Sequence, residues 1–413
     1  MTSKLVGACV LAQSGGPTAV INASAYGVIK TALEASEITN VYGAAHGITG
    51  ILNDSLYDLG KEDARELELL MNTPSSELGS CRYKINEEKD LDRILEIFKK
   101  YDIRYFFYNG GNDSMDTCLK ISEFMQKSSY ECRVIGVPKT IDNDLVGTDH
   151  CPGYGSAAKY IATSVAEVYK DSIVYDVGTV TVIEVMGRNA GWLVGATALA
   201  GLVGTPPDLI YLPEIPFSLD DFLDRVEGIY KEKNNCLVTV SEGIRYKDGT
   251  FVSEAPLSTT DGFGHAQLGG LAATLAGVVQ HRTGAKVRGI ELSLLQRCGA
   301  HLASQTDISE AYLAGKSAVE SALAGESGKM VALERKTVNG SYQCEIIYQP
   351  LTICANVEKK VPFEWISENG TYVTQDFIDY ALPLIQGENM RIIENGLPRF
   401  AKLKKTKAEP IVN

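Results

Sequence analysis

The segment Arg104-Tyr-Phe-Phe-Tyr-Asn-Gly-Gly-Asn-Asp-Ser114 indicates the fold of this chain. Its first half is apolar on both faces, which is typical of a strand that is buried under helices on each side. A Gly-Gly pair and two polar residues follow, and an amphipathic stretch over 113–127 then predicts a helix. A buried strand, a glycine-rich turn and a helix together form one unit of a parallel α/β sheet.

The same alternation of apolar strands and amphipathic helices recurs along most of the chain. Strands are predicted at 5–13, 41–45, 104–108, 133–137, 179–185, 209–212, 237–241 and 287–292. Helices are predicted at 19–35, 90–101, 113–127, 155–169, 220–233, 268–281 and 307–324. This pattern predicts an α/β protein with mostly parallel sheets.

The last part of the chain has a different pattern. Beyond residue 329, Asn339-Gly340 between β-type residues predicts a hairpin, and a last helix is predicted near 375–386. The final dozen residues are rich in lysine and predict a frayed tail.

Length and charge limit the class of protein. At 413 residues the chain exceeds what one hydrophobic core usually supports, so two lobes are expected. Its 52 acidic and 39 basic residues give a formal net charge of −13. An acidic total argues against general binding to nucleic acid or anionic membranes, although a local basic pocket could still hold a small phosphorylated ligand.

The cysteines and the apolar runs predict a soluble protein of the cytoplasm. Nine cysteines are scattered without a C-x-x-C pair, which argues against a disulfide framework or a zinc site and favours a reducing compartment. The first apolar run is too short for a signal peptide, and no run is long enough to span a membrane.

Polar or glycine-rich segments follow five of the predicted strands. They are Gly15-Gly16, Gly110–Ser114, Lys139–Asp144, Gly187-Arg188 and Glu242-Gly243. Ligands of open α/β sheets bind beyond the carboxyl ends of the strands, so these five segments together predict a binding site. Glycine pairs before a helix let the backbone approach an oxyanion, and the helix N-terminus favours negative charge, which points to a phosphate.

The segment Lys139-Thr-Ile-Asp-Asn-Asp144 places two carboxylates beside a lysine. In an extended strand end, Thr140, Asp142 and Asp144 would point the same way. One carboxylate there can accept a proton from a hydroxyl, and the other can hold a magnesium ion (Mg2+). The alternative is that both aspartates only form turns.

Four arginines complete the predicted chemistry, because guanidinium groups suit phosphate recognition and phosphoryl transfer. They are Arg82, Arg188, Arg288 and Arg297. For any one of them, a solvated surface position remains the alternative.

Together these residues resemble the phosphofructokinase superfamily over about residues 5–325. The motifs are Ser14-Gly-Gly-Pro17, Leu78-Gly-Ser-Cys-Arg82, Gly110-Gly-Asn-Asp-Ser114, Pro138-Lys-Thr-Ile-Asp-Asn-Asp144, Glu184-Val-Met-Gly-Arg188, Glu242-Gly243 and Gln296-Arg297. The resemblance is strongest to the diphosphate-dependent branch. It implies two Rossmann-like lobes with the active site in the cleft between them. The expected donor lobe is 1–142, completed by 299–413, and the sugar-phosphate lobe is 143–298.

The resemblance implies a reversible, Mg2+-dependent phosphoryl transfer from pyrophosphate to the 1-hydroxyl of fructose 6-phosphate in a homodimer or homotetramer. It assigns the proton acceptor to Asp142, the donor site to Gly15 and Arg82, and the magnesium site to Asn112 and Asp144. It assigns fructose 6-phosphate to Thr140, Ile141, Asp142, Met186, Gly187, Arg188, Glu242, Arg288, Leu294 and Arg297, with Arg288 offered by a neighbouring subunit. The chain departs from the family at Asn112, usually aspartate, and at Leu294, where a ring is common.

The resemblance makes donor choice depend on Asp113 and Lys139, because ATP-using relatives have glycine at both positions. The carboxylate of Asp113 would lie where the α-phosphate of ATP binds, while Lys139 would stabilise charge on the leaving phosphate. Two like charges about 4 Å apart repel by about 4 kcal/mol at an effective dielectric near 20. An ATP-dependent 6-phosphofructokinase and a non-catalytic sugar-phosphate sensor remain the alternatives.

Overall fold

The computed structural model describes residues 4–85, 87–253, 268 and 270–411. The chain divides into two compact units, of which the first comprises Met1–Gly153, Ala303–Glu358 and Gly387–Asn413. The second unit comprises Tyr154–Leu302 and Lys359–Gln386. Compared with the expected lobes, the first unit extends to Gly153, and Lys359–Gln386 belongs to the second unit.

The strands of the two units are numbered in chain order. They are β1 (Gly7–Gln13), β2 (Ile38–Ala44), β3 (Leu56–Asp58), β4 (Ile103–Gly110), β5 (Arg133–Pro138), β6 (Thr179–Val185), β7 (Leu209–Tyr211), β8 (Asn235–Ser241), β9 (Lys286–Glu291), β10 (Lys329–Val338), β11 (Ser341–Pro350), β12 (Ile393–Glu394) and β13 (Leu397–Pro398). Every strand predicted from the sequence is present, with ends shifted by a few residues.

The helices are numbered in the same way. They are α1 (Ile21–Glu34), α2 (Ile48–Leu52), α3 (Ala64–Glu68), α4 (Glu88–Lys100), α5 (Asn112–Lys127), α6 (Tyr154–Ser172), α7 (Trp192–Gly195), α8 (Leu219–Lys233), α9 (Leu271–Thr283), α10 (Leu295–Cys298), α11 (Gln305–Leu323), α12 (Leu351–Cys354) and α13 (Gln375–Ala381). The helix predicted at 268–281 corresponds to α9, and residue 269 of that prediction lies outside the described residues.

The described part of the first unit contains a seven-stranded sheet in the order β11-β10-β5-β4-β1-β2-β3. The inner strands run parallel, and only the two outermost pairs, β2 with β3 and β10 with β11, are antiparallel. Strands β1, β4 and β5 are buried almost throughout, which explains why their sequences are apolar on both faces. The β10–β11 pair is the hairpin that Asn339-Gly340 predicts, with both turn residues at positive φ.

The second unit contains a four-stranded sheet, in the order β7-β8-β6-β9, whose described pairs are all parallel. The prediction of an α/β fold with mostly parallel sheets is therefore confirmed. Among the described residues, no helix combines the length and the apolar character that crossing a membrane requires.

The lysine-rich end of the chain is ordered in the described residues, so the predicted frayed tail is wrong up to residue 411. The backbone N–H of Asp58 donates to the Thr406 carbonyl oxygen at 2.8 Å, and the N–H of Ala408 donates to the Leu56 carbonyl at 2.8 Å. These bonds cover the free edge of β3, which would otherwise expose unpaired backbone groups. The tail therefore completes the edge of the first sheet.

Helices α1 and α11 approach each other so closely that glycine is required at their contact. A Cβ atom on Gly315 would overlap the carbonyl oxygen of Ser24, and one on Gly27 would overlap the carbonyl oxygen of Tyr312. Both overlaps are with backbone atoms, which cannot move aside as the end of a flexible side chain can. Both helices pack against one face of the first sheet, on the side chains of β1, β4 and β5.

We expect Gly315→Ala to destabilise the protein by about 1–3 kcal/mol, because the added methyl group overpacks the helix contact. The control is Gly228→Ala in α8, where a Cβ would meet no atom within 4 Å. That exposed helical site should gain about 0.5–1 kcal/mol from the better helix propensity of alanine. Thermal unfolding by calorimetry measures both changes. Equal effects of the two substitutions would contradict this account of the helix contact.

Candidate active site

The strand order of the first sheet brings three of the predicted loops to one edge. Strand β4 lies between β1 and β5, and the strand order reverses at β1, which is where open α/β sheets bind ligands. The N–H of Ser14 donates to the Asn109 carbonyl at 2.9 Å, and the N–H of Lys139 donates to the Gly110 carbonyl at 3.1 Å. Asp113 follows directly, in the first turn of α5.

The loop after β1 holds the segment that carries Arg82. Gly15, at φ 76°, donates its N–H to the Cys81 carbonyl at 3.0 Å, and its own carbonyl accepts the Ser80 hydroxyl at 2.6 Å. Arg82 follows directly along the chain. The structure therefore brings Gly15 and the Arg82 backbone together.

The ammonium of Lys139 also reaches the loop after β1. Its Nζ donates to the Gly16 carbonyl at 2.7 Å, and it lies 3.2 Å from where a Cβ of residue 15 would be. The Lys139 residue is only 3% exposed. A buried ammonium is costly unless polar partners surround it, so this lysine belongs to a site built for charge.

Two buried polar residues that the sequence analysis missed hold the Arg82 segment in place. The Gln13 amide oxygen accepts the Ser76 hydroxyl at 2.8 Å and the Leu78 N–H at 3.1 Å. The Gln13 amide nitrogen donates to the Asn22 side-chain oxygen at 3.0 Å, and that same Asn22 oxygen accepts the Glu77 N–H at 2.9 Å. Gln13 could have been recognised from the sequence, because it is a polar residue at the end of an otherwise apolar strand.

The segment after β5 turns, so the prediction that it continues as an extended strand is wrong. The N–H of Asp142 donates to the Thr140 hydroxyl oxygen at 3.1 Å, which closes a tight turn. Asn143 then has φ 55°, in the left-handed region, and its side-chain oxygen accepts the Cys151 N–H at 2.9 Å. Strand alternation therefore does not set the directions of Thr140, Asp142 and Asp144.

Two buried oxygens at this edge could hold a divalent cation. The Oδ1 atoms of Asn112 and Asp144 are buried and have no hydrogen-bond partner in the part of the chain that the structure describes. Burial raises the pKa of Asp144 to about 7, and the charges of Asp142 and Glu358 contribute to the rise. Hard oxygen ligands and an uncompensated carboxylate suit a cation such as Mg2+, so these residues fit the expected metal.

The departure from the family at Asn112 has a structural reason. The amide nitrogen of Asn112 donates to the Val357 carbonyl oxygen at 2.6 Å. A carboxylate cannot donate this bond and would face the carbonyl oxygen with a like partial charge. The next residue, Glu358, pairs with Leu145, beside Asp144. Both candidate ligands therefore adjoin the segment Val357-Glu358, for which the sequence offered no motif.

A buried histidine fixes the segment that leads away from Asp144. His150 is 1% exposed, and its ring nitrogens lie 2.8 Å from Asp149 Oδ2 and 2.7 Å from Glu310 Oε2. Arg335 also binds Asp149, at 3.1 Å, and the Tyr342 hydroxyl donates to Glu310 at 2.6 Å. These contacts tie the segment to α11 and to the β10–β11 hairpin.

The protonation of this cluster follows from its charges. Burial alone would lower the pKa of His150, but the hydrogen bonds and charges of Asp149 and Glu310 outweigh it, so the pKa lies above its usual value. Burial opposes the charge of Asp149 as well, yet bonds from His150 and Arg335 lower its pKa to about 2. The cluster thus favours an imidazolium between two carboxylates.

In the second unit, the loops after β6 and β8 meet at the carboxyl edge of the sheet. The N–H of Glu242 donates to the Val185 carbonyl at 2.9 Å, and the N–H of Gly187 donates to the Glu242 carboxylate at 3.3 Å. The N–H of Met186 donates to the Gln296 side chain at 3.1 Å. This last bond brings α10, which carries Arg297, to the same edge.

Glycine is required where these two loops touch, because a Cβ on Gly243 would overlap the carbonyl oxygen of Arg188. The structure thus brings together Met186, Gly187, Arg188, Glu242 and the helix that carries Arg297. Thr140, Ile141 and Asp142, which the resemblance also assigns to the sugar phosphate, belong to the first unit.

Of the other predicted sugar-phosphate residues in this unit, Arg288 lies on a strand and Leu294 directly precedes the helix that carries Arg297. Arg288 lies on the edge strand β9 opposite Thr181, and its guanidinium binds Asp171 at 2.8 Å. Leu294 precedes α10, and 54% of its surface is exposed.

A family model described as phosphofructokinase matches residues 8–322. The chain therefore belongs to the phosphofructokinase family, and the resemblance is confirmed.

Several of the most similar proteins carry names of the pyrophosphate-dependent enzymes of that family. A curated relative from Halomonas elongata is 46% identical over 406 residues, 96% of each chain, and is named pyrophosphate–fructose 6-phosphate 1-phosphotransferase. A relative of the same name from Methylococcus capsulatus is 45% identical over 95% of this chain and 94% of its own. The crystal structure of a pyrophosphate-dependent phosphofructokinase from Marinobacter aquaeolei superposes with a TM-score of 0.89, at 42% identity and 99% coverage of both chains.

We expect His150→Gln to lower the free energy of unfolding by about 3 kcal/mol near pH 6, because it leaves the buried Glu310 carboxylate without its cation and Asp149 with Arg335 alone. The pKa of His150 is raised on folding, so its contribution is complete below the unfolded value near 6.5 and is lost as the pH rises through the folded value. The difference between wild type and variant should therefore shrink towards pH 9.

Thermal unfolding midpoints between pH 6 and 9 measure this effect. His281→Gln is the matched control, because His281 lies exposed at the end of α9 and should keep the wild-type pH dependence. Parallel pH profiles for His150→Gln and the wild type would contradict a protonated His150.

Proposed function

We propose that this protein reversibly transfers a phosphoryl group from pyrophosphate to the 1-hydroxyl of fructose 6-phosphate, giving fructose 1,6-bisphosphate and phosphate. The observation that carries the proposal is the pair Asp113 and Lys139, which lie just beyond the ends of β4 and β5, at positions where the resemblance gives ATP-using relatives glycine. The names of the relatives, which match along nearly the whole chain, support it.

Charge explains the choice of donor. A carboxylate about 4 Å from a phosphate repels it by about 4 kcal/mol at an effective dielectric near 20. Such an energy corresponds to about a thousandfold in affinity. Pyrophosphate lacks the third phosphate and avoids the largest part of this repulsion at Asp113, whereas the buried ammonium of Lys139 stabilises the charge on the phosphate that leaves.

Magnesium would be held by the side-chain oxygens of Asn112 and Asp144, directly or through water. When bound, Mg2+ neutralises charge on the phosphates during transfer. The Oδ1 atoms of these two residues, which are buried and accept no hydrogen bond from the residues that the structure describes, support this role. A carboxylate with a raised pKa also gains most from a cation, because the cation favours its charged form.

Asp142 acts as the proton acceptor. Its carboxylate takes the proton of the sugar 1-hydroxyl while that oxygen attacks the phosphorus, and the bond from phosphorus to the bridging oxygen breaks. The turn at Thr140 and the left-handed Asn143 hold the Asp142 backbone, and the pairing of Thr140 with Gly153 fixes the start of the turn. A base that is held in place in this way needs little reorientation to reach the transition state.

The loops of the second unit bind the sugar phosphate. Arg188 and Arg297 suit the 6-phosphate, and Glu242 accepts a hydrogen bond from a sugar hydroxyl, with Met186 and Gly187 lining the site. Arg288 lies apart from this group, on an edge strand, which supports its contribution to a neighbouring copy in a homodimer or homotetramer. The nine free cysteines support a reducing, cytoplasmic setting.

Supplied with fructose 6-phosphate and Mg2+, the purified protein should catalyse phosphoryl transfer from pyrophosphate, and much less from ATP.

Asp142→Asn should lower kcat by about a hundredfold to ten-thousandfold, because it removes the proton acceptor while keeping the side-chain shape. A coupled assay of fructose 1,6-bisphosphate measures both. Preference for ATP would indicate the kinase instead, absence of turnover would indicate a sensor, and an unchanged kcat in Asp142→Asn would refute the base assignment.

Asp113→Gly should raise kcat/KM for ATP by about a hundredfold or more, because it removes the repulsion of the additional phosphate. The matched control is Asp116→Asn, one turn further along α5, where the carboxylate binds Lys120 at 2.7 Å. That variant should leave the ratio of ATP use to pyrophosphate use unchanged. If Asp113→Gly gained no ATP use, charge at position 113 would not select the donor.

A further inference from the structure

The carboxylate of Asp113 has a nearby cation that the sequence motifs do not include. The ammonium nitrogen of Lys84 lies 3.8 Å from Asp113 Oδ1, and the two side chains are 42% and 24% exposed. Lys84 follows Arg82 by two residues, in the segment that the Gly15 loop holds. An ion pair this exposed adds little to folding stability, so the fold itself gives no reason for it.

The backbone of Lys84 is anchored on both sides. The hydroxyl of the preceding Tyr83 donates to Asp90 Oδ2 at 2.9 Å, and the carbonyl of the following Ile85 accepts the Lys120 ammonium at 3.0 Å. The side chain of Lys84 therefore extends from a fixed point towards the first turn of α5.

Asp113 alone creates an electrostatic problem for the proposed donor. A carboxylate that repels the additional phosphate of ATP also repels pyrophosphate, which is itself a polyanion. A cation held against Asp113 offsets that repulsion. Lys84 is such a cation, because its ammonium nitrogen lies 3.8 Å from Asp113 Oδ1.

We propose that Lys84 is a donor-binding residue whose charge Asp113 balances, so that the pair, and not Asp113 alone, sets the choice of donor. The inference rests on the proposed function and identifies a further residue of the same site. In the wild type, Lys84 is shared between Asp113 and the bound pyrophosphate. When Asp113 is removed, the charge of Lys84 becomes available to the additional phosphate of ATP.

The pairing predicts a non-additive set of variants. Lys84→Met should raise KM for pyrophosphate about tenfold, the usual effect of one charged contact, with little change in KM for fructose 6-phosphate. In the Asp113→Gly background, Lys84→Met should also remove about tenfold of the gain in ATP use. Lys89→Met is the matched control, because Lys89 is an exposed lysine nearby in the chain that binds Glu87.

The readouts are steady-state kinetics with each donor and the rise in thermal midpoint that pyrophosphate with Mg2+ produces. Lys84→Met should show a smaller rise than the wild type and Lys89→Met, with unliganded midpoints unchanged. If pyrophosphate gives the wild type neither turnover nor stabilisation, the proposed function fails. If the wild type uses pyrophosphate, an unchanged KM in Lys84→Met, or a full ATP gain in the double variant, overturns the role of Lys84 alone.

Discussion

The hydrogen bond from the buried ammonium of Lys139 to the Gly16 carbonyl oxygen joins the loops that follow β5 and β1. Strand β4 lies between these two strands, so the lysine reaches across its carboxyl end. A side chain at Gly110 would overlap Ser114, and one at Gly111 would lie about 3.5 Å from the Lys139 carbonyl. Gly110, which ends β4, is therefore required for the close approach of α5, whereas a Cβ at Gly111 would make only ordinary contact. The candidate donor site depends on the meeting of the three loops.

Acidic side chains in the first unit are concentrated in a small region. Asp113, Asp142 and Asp144 bring three carboxylates to the end of the sheet, and Lys139 opposes the rise in the pKa of Asp144 without cancelling it. The site thus retains an excess of negative charge that a divalent cation can neutralise. A polyanionic donor can bind beside these carboxylates only if cations lie between them, which is why the positions of the lysines matter as much as those of the aspartates.

The sequence predicted the strands and helices well because the spacing of apolar residues that indicates each element lies within the segment itself. It predicted the loops that meet at the strand ends because parallel strands share one carboxyl edge. It failed at Asn143, where the side chain's bond to Cys151 stabilises a left-handed turn that strand alternation does not anticipate. That bond requires Cys151, which lies further along the chain and is brought beside Asn143 only by the folded structure.

The same limit explains the ordered tail and the buried His150. The tail is held by bonds to β3, and His150 by Glu310, which is 160 residues away in the chain. Neither partner is adjacent in sequence, and charged or polar residues at both places would suit a solvated surface equally well. Arg288 is the opposite case. The resemblance assigned it a role in sugar-phosphate binding, but it lies within the edge strand β9 and not on the loops that carry Arg188 and Arg297.

The segment after α12 shows how a part of the chain without a recognisable motif can shape the site. Asn356 donates to the Asp116 carboxylate at 2.9 Å, and Val357 accepts the Asn112 amide, so two consecutive residues bind one face of α5 near its N-terminus. An aspartate at position 112 would lose the second bond and would add a fourth carboxylate beside Asp113, Asp142 and Asp144. The neutral asparagine is therefore explained by the segment that it binds, and the residue at 112 and the course of the chain at 356–358 constrain each other.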